Sequence, residues 1–249
     1  MKRRIKLFFI RHGQATFWEP DYDKLSKLGR EQARALAGYF LRQSIQFEAV
    51  FAGSLRRHLE TAQAMAEVYA NQGHRFPEVT ILPDFNEHCG WQVFQQALHR
   101  LAASDPELQH AARQYHLLQK NASSVAVSDV QAVGSAYRRI SRMWVKGELD
   151  EIDHGLEPWP EFRERVHRGL QQIFNQSPMS EYVAVITSAG PVAATLGYAL
   201  ELKDEKIIEL SWLIQNTALS EFRYAEGRLM LKSFNATPHL QEARLRTYV

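Results

Sequence analysis

Ile5-Lys6-Leu7-Phe8-Phe9-Ile10-Arg11-His12-Gly13-Gln14-Ala15-Thr16 is an apolar, β-forming run that stops abruptly at a cation, an imidazole and a glycine. It reads as a buried central strand. In open α/β sheets, ligands bind beyond the carboxyl ends of the strands, so Arg11 and His12 are expected at the mouth of a cleft. Gly13 allows a sharp turn and a close backbone approach to a ligand.

Outward from that strand the chain alternates. Ser26 is placed to cap a helix whose apolar face recurs through Leu28, Gln32, Ala35, Leu36, Tyr39 and Phe40. Phe47 to Phe51 predicts a second strand, which leads through Gly53-Ser54-Leu55-Arg56-Arg57-His58-Leu59-Glu60-Thr61-Ala62 into an amphipathic helix. Val79 to Leu82 predicts a third. Residues 91–155 then read as a mainly helical insertion, with capping-box patterns at Ser104/Glu107 and Ser128/Gln131 and a flexible link at 120–124. Phe162, Val166, Leu170, Ile173 and Phe174 predict another helix, and Tyr182 to Ile186 a return strand. Turn residues Thr187-Ser188-Ala189-Gly190-Pro191 follow it, with Gly190 and Pro191 opening a helix that runs to Leu200. Thr217–Tyr224 and Arg228–Phe234 alternate like a hairpin closed at Glu226-Gly227. The expectation is a three-layer α/β fold: a mixed, mostly parallel sheet flanked by helices in a single domain over 1–249, with a helical cap at 91–155.

Composition narrows the function. With 249 residues and 45% apolar content a sizeable core is available, and a formal charge of +2 gives no broad basic field for nucleic acid. Any anion recognition should be local. The single cysteine, Cys89, excludes an intrachain disulfide framework and is compatible with a cytoplasmic location. The uncharged stretch Val183 to Leu200 is interrupted by turn residues, which argues against a membrane span. His88-Cys89 is not followed by the arginine that a cysteine phosphatase needs, because Gln95 holds that position. No Walker A loop or metal-type histidine spacing is present, so neither a metal nor a cofactor is expected.

Arg11-His12-Gly13 after such a strand resembles the signature of the histidine phosphatase, phosphoglycerate mutase-like superfamily. The resemblance implies that His12 becomes phosphorylated during turnover. The second junction is similar to that family's Ser-Pro-Leu-x-Arg-Ala-x-x-Thr-Ala segment. It implies that Arg57, preferred over Arg56 on its spacing from Thr61, grips phosphate beside Arg11 and Gly13; Gly53 and Ser54 depart from the pattern. Glu87, in the Asn86-Glu87-His88-Cys89-Gly90-Trp91 segment, is implied as proton donor to the leaving oxygen. The insertion resembles the caps that overhang the phosphate site in that family. Asn235-Ala236-Thr237-Pro238-His239-Leu240 is similar to its ending.

One departure stands out. Where the resembled family closes the return strand with a second histidine, this chain has Ser188. Ser188 can donate one hydrogen bond to phosphate, and backbone N–H groups at the following helix start can add more, but the imidazolium charge is missing. His88, His154 and His239 are the histidines considered as replacements, and spacing selects none of them.

The resemblance implies phosphomonoester hydrolysis through a phosphohistidine on His12, with a small phosphorylated metabolite as substrate and neither nucleic acid nor membrane as partner. A phosphoglycerate-mutase-type phosphotransferase and a catalytically impaired phosphate-ester binding or regulatory relative are the alternatives.

Overall fold

The computed structural model describes residues 4–16, 23–120, 127–149, 155–176 and 182–248. The 17–22 part of the loop after the first strand, most of the 120–124 link and His154 lie outside them. Two compact units are formed: one from Met1–Glu87, Arg163–Lys203 and Leu210–Val249, the other from His88–Phe162 with Asp204–Glu209.

The first unit is built on one six-stranded sheet. Its strands are β1 (Arg4–Arg11), β2 (Ala49–Ala52), β3 (Val79–Ile81), β4 (Tyr182–Thr187), β5 (Leu219–Ala225) and β6 (Arg228–Ala236), in the spatial order β3-β2-β4-β1-β5-β6. β1, β2, β3 and β4 pair in parallel; β5 and β6 add an antiparallel edge, β5 pairing with β1. The mixed, largely parallel sheet is therefore as expected. β1 is central and buried on both sides, which explains its unbroken apolar run.

Alternation along β1 divides the core. Phe8 and Ile10 join Val50, Ala52, Ala184 and Ile186 in a cluster with residues of α1 (Lys27–Arg42) and α2 (Arg56–Asn71), among them Leu36, Phe40, Met65 and Tyr69. Phe9 points the other way and packs edge-on against Phe85 and Phe222. Phe174, on α6 (Trp159–Gln176), stacks on Tyr224 of β5 at 3.7 Å. α7 (Ala189–Leu200) packs beside β1 and β6. Ser26 caps α1 as its sequence suggests, accepting from Gly29 N at 3.0 Å.

The second unit holds α3 (Gly90–Leu101), α4 (Pro106–Lys120) and α5 (Val127–Val145). Trp91 and Phe94 of α3 pack with Tyr115 of α4 and Tyr137 of α5. The residue that caps α4 is Asp105, whose carboxylate accepts from Glu107 N and Leu108 N, in place of the expected Ser104. The α5 helix begins at Val127, so Ser128 lies inside it and does not cap it. No helix among the described residues is long and apolar enough to cross a membrane.

Gly13 has a use other than the one its position suggests. A Cβ there would overlap the Gly29 carbonyl, and a Cβ on Gly29 would overlap that of Gln14, so the β1–α1 turn and the first turn of α1 meet backbone to backbone. Gly29→Ala should therefore lower unfolding free energy by about 1–3 kcal/mol through overpacking. Urea denaturation would measure it; an unchanged midpoint would contradict the close contact.

Candidate active site

Four buried side chains converge where β1, β4 and α2 meet: His12, Arg57, His58 and Ser188. His12 follows the last residue of β1. Its Nδ1–H donates to the Gly13 carbonyl at 2.7 Å, and its Nε2 accepts from Arg57 Nε at 3.1 Å. Those two bonds define one tautomer, with Nδ1 protonated and Nε2 carrying the lone pair. Burial, then the charges of Arg57 and Arg11, hold the ring well below the ordinary histidine pKa, against the opposing pull of the Gly13 bond. His12 is neutral at physiological pH.

The loop carrying His12 is held from several sides. Gly13 N–H donates to Thr61 Oγ1 on α2, so it is already engaged within the protein. Asn216 Nδ2 donates to His12 O, and Thr217, in a left-handed conformation, donates its N–H to the Arg11 and His12 carbonyls. Gln32 accepts from Gln14 N and donates to Leu245 O, which ties the loop to the C-terminal segment.

Arg57 enters from the first turn of α2 and uses every arm of its guanidinium. Nε reaches His12, Nη1 pairs with Asp23 at 2.5 Å, and Nη2 reaches Ser188 Oγ at 3.4 Å. Its neighbour Arg56 is the more exposed and pairs with Glu60, so Arg57 is the one of the two that lies beside His12. Asp23 also accepts from Arg56 N, which fixes the carboxylate against the helix start.

Arg11 is arranged differently from the expectation. Its Nη1 donates to the Ile214 and Tyr248 carbonyls, both at 2.6 Å, while its charge still acts on His12. Glu87 closes the segment after β3. Its carboxylate accepts from Gly190 N at 3.2 and 3.3 Å, so the start of α7 that was expected to face phosphate already holds an anion of the protein. Arg165 clamps the carbonyls of Asp84, Asn86 and Glu87, and Thr187 Oγ1 donates to Phe85 O; together they place Glu87 next to the end of β4.

Ser188 occupies the N-cap position of α7 yet makes no capping bond with its side chain. Its hydroxyl lies 2.7 Å from Nε2 of His58 instead. His58 is the functional candidate that sequence reasoning missed. Its ring is fully buried and lies 5.6 Å, centroid to centroid, from that of His12. The signal was available in the compared segment, where Ala follows the arginine and this chain has His58.

Two of the histidines named from sequence stand elsewhere. His88 packs among Trp144, Trp159 and Phe162 in the second unit, and His239 bonds Thr217 Oγ1. Among the described residues, no group of three or more His, Cys, Asp or Glu side chains is arranged to hold a metal ion.

A family model described as the histidine phosphatase superfamily (branch 1) matches residues 7–133 and 127–237. The chain belongs to the histidine phosphatase superfamily. Solved structures agree in fold. A phosphoglycerate mutase from Bacillus anthracis superposes with a TM-score of 0.63 at 14% identity, over 96% of each chain. A phosphoserine phosphatase variant from Entamoeba histolytica, in complex with phosphoserine, gives 0.59 at 16% identity over 95% of this chain and 99% of that one. An alpha-ribazole phosphatase from Shigella flexneri gives 0.55 at 15%, over 94% and 97%. No curated protein sequence matches the chain significantly. In this superfamily member the sheet order places β1 and β4 side by side, so Arg11 pairs with Thr187 and the residues after each strand, His12 and Ser188, emerge together.

Buried neutral histidines make the fold sensitive to acid. His12, His58 and His239 all have folded-state pKa values below the unfolded value of 6.5, His239 at about 4 mainly through burial. The unfolded chain therefore takes up protons that the folded chain refuses, and stability present above pH 6.5 is lost as the pH falls. His239 alone should cost on the order of 2 kcal/mol between pH 7 and pH 5. Urea titrations at the two pH values test this, and a stability independent of pH over that range would refute the neutral assignments.

Proposed function

We propose that the protein is a phosphomonoesterase acting through a phosphohistidine on His12. The observation that carries this reading is the tautomer of His12: a bare Nε2 lone pair, oriented by the Gly13 carbonyl, with the guanidinium of Arg57 against it. A neutral imidazole fixed in that way is an in-line nucleophile, and a cation beside it supplies charge where the transferring phosphoryl oxygens carry theirs.

The steps follow from the geometry. An incoming phosphoryl group takes over the hydrogen bonds that Arg57 makes to His12 and Ser188, while Asp23 keeps the guanidinium plane in place through Nη1. Nε2 forms a bond to phosphorus as the ester oxygen departs. Glu87 in its protonated form donates a proton to that oxygen, and the carboxylate this leaves then activates water to cleave the phosphorus–nitrogen bond. Ser188 contributes a hydrogen bond to a phosphoryl oxygen, and Arg11 a more distant positive charge. Superfamily membership and the phosphatase and mutase names among its structural neighbours support phosphomonoester chemistry; phosphoserine and 3-phosphoglycerate are reasonable first probes.

The test is hydrolysis of p-nitrophenyl phosphate at mildly acidic pH, with His12→Ala beside the wild type. The variant should lose at least about a thousandfold in kcat. An acid-labile phosphoprotein should be trapped from the wild type only. Equal rates would remove the nucleophile. Orthophosphate binding without turnover by the wild type would favour instead the reading as a phosphate-ester binding protein.

Glu87→Gln should separate substrates by leaving group. Release of p-nitrophenolate needs no proton, so kcat/KM on p-nitrophenyl phosphate, which covers the steps up to that release and not the later cleavage of the phosphohistidine by water, should hold within about threefold, whereas kcat/KM on phosphoserine should fall about a hundredfold. Equal losses on both would deny Glu87 the role of acid.

A further inference from the structure

The imidazole of His58 is buried completely, with Nδ1 against Gly53 and Nε2 2.7 Å from the hydroxyl of Ser188. Ser188 is itself completely buried and turns from the capping bond its position offers. Two polar groups buried together in this way have no stabilising advantage over an apolar pair of similar shape. The backbone has been adapted to hold them: a Cβ on residue 53 would overlap Nδ1 and Cε1 of His58, so only glycine leaves room for the ring. The same pair sits beside the proposed nucleophile, with Arg57 Nη2 at 3.4 Å from the serine oxygen and the His12 ring 5.6 Å away.

We propose that His58 is a positioning residue of the phosphoryl site that acts through Ser188, taking up the proton of a monoanionic ester so that the group transferred to His12 is bound as a dianion against an imidazolium. This rests on the phosphohistidine reading above. With its Nε2 bare, His58 accepts from the Ser188 hydroxyl. When a monoanionic phosphomonoester binds, its P–OH proton passes to Ser188 Oγ as the original serine hydrogen passes to His58 Nε2. Ser188 ends as it began, a hydroxyl, now donating to a phosphoryl oxygen. The ester becomes a dianion, His58 an imidazolium, and the net charge of the complex does not change.

Charge accounting favours the step. Asp23 already neutralises one arm of Arg57, and Arg11 directs Nη1 to main-chain carbonyls, so a dianion at His12 gains from another cation. Burial, and then the Arg57 charge, keep His58 neutral in the protein alone; an arriving anion reverses the sign of the local field. The ionisable groups around the pair are His12 beyond β1, Arg57 on the same helix with Asp23 on its Nη1, Arg11 in β1, and Glu87, which accepts from Gly190 two residues beyond Ser188.

The experiment measures kcat/KM for p-nitrophenyl phosphate from pH 5 to pH 8 in the wild type, His58→Gln, Ser188→Ala and His12→Ala. With that leaving group Glu87 contributes no proton-dependent limb. The wild-type value should rise as pH falls, following one proton. His58→Gln keeps the volume and a hydrogen-bonding end but cannot become a cation. Its profile should flatten and its value at pH 5.5 should drop about a hundredfold, the scale of one preorganised group aimed at a transferring phosphoryl. Ser188→Ala, which removes only one oxygen, should flatten the profile in the same way and stands in if His58→Gln does not fold. A wild-type rate and profile in either folded variant, with His12→Ala inactive, would overturn the relay and leave the phosphohistidine intact. Full activity in His12→Ala would instead overturn the reading on which it rests.

Discussion

The hydrogen bond from Nδ1–H of His12 to the Gly13 carbonyl is the constraint on which the arrangement of the candidate site depends. An imidazole free to change tautomer would present Nε2 sometimes as donor and sometimes as lone pair. Bonded to its neighbour's carbonyl it presents only the lone pair. The bond needs the carbonyl to point back at the ring, and that needs the chain to turn where the Gly13 backbone lies against Gly29. A single methyl group at either glycine would displace the turn. The strand, the first helix and the left-handed Thr217 beneath the loop thus serve one orientation of one ring.

Around that ring the electrostatics are arranged by pairing. Arg57 is nearly fully buried and tolerable there because all its arms are occupied, by an imidazole, a carboxylate and a hydroxyl. The carboxylate of Glu87 sits at the helix start where the partial positive charge of α7 accumulates. The site is therefore already near balance, and in the proposed reaction an ester would bind by exchanging partners with groups whose positions are set in advance.

Much of the architecture was legible in the chain because its signals are local. The apolar run before Arg11, the Ser26 cap and the turn residues after Thr187 each report on a few consecutive residues, and those elements formed where expected. The site was legible in part. Arg11-His12-Gly13 lies at a strand end and Arg57 in the first turn of a helix, so their places in the fold could be read from the chain, whereas the partners of Arg11 could not. Arg57 was preferred over Arg56 by spacing, and it is Arg57 that lies buried beside His12. His58 was overlooked because a histidine in the first turn of a helix reads as ordinary until the neighbouring strand is known. Asp23 and the C-terminal carbonyls were invisible for the same reason: their contacts join residues 34 to 237 positions apart.

By itself the sequence determined the alternation of strands and helices, the position of His12 at the end of a buried strand, and the presence of a serine, Ser188, after the return strand. Those are properties of single segments, decided by side-chain period, turn chemistry and residue type. Only the tertiary structure decided which nitrogen of His12 is bare, that Arg57 bridges His12, Asp23 and Ser188, and that His58 faces Ser188 across the gap Gly53 leaves. Each of these depends on strand order bringing β4 beside β1 and on a helix start leaning over both, a relation that consecutive residues do not encode.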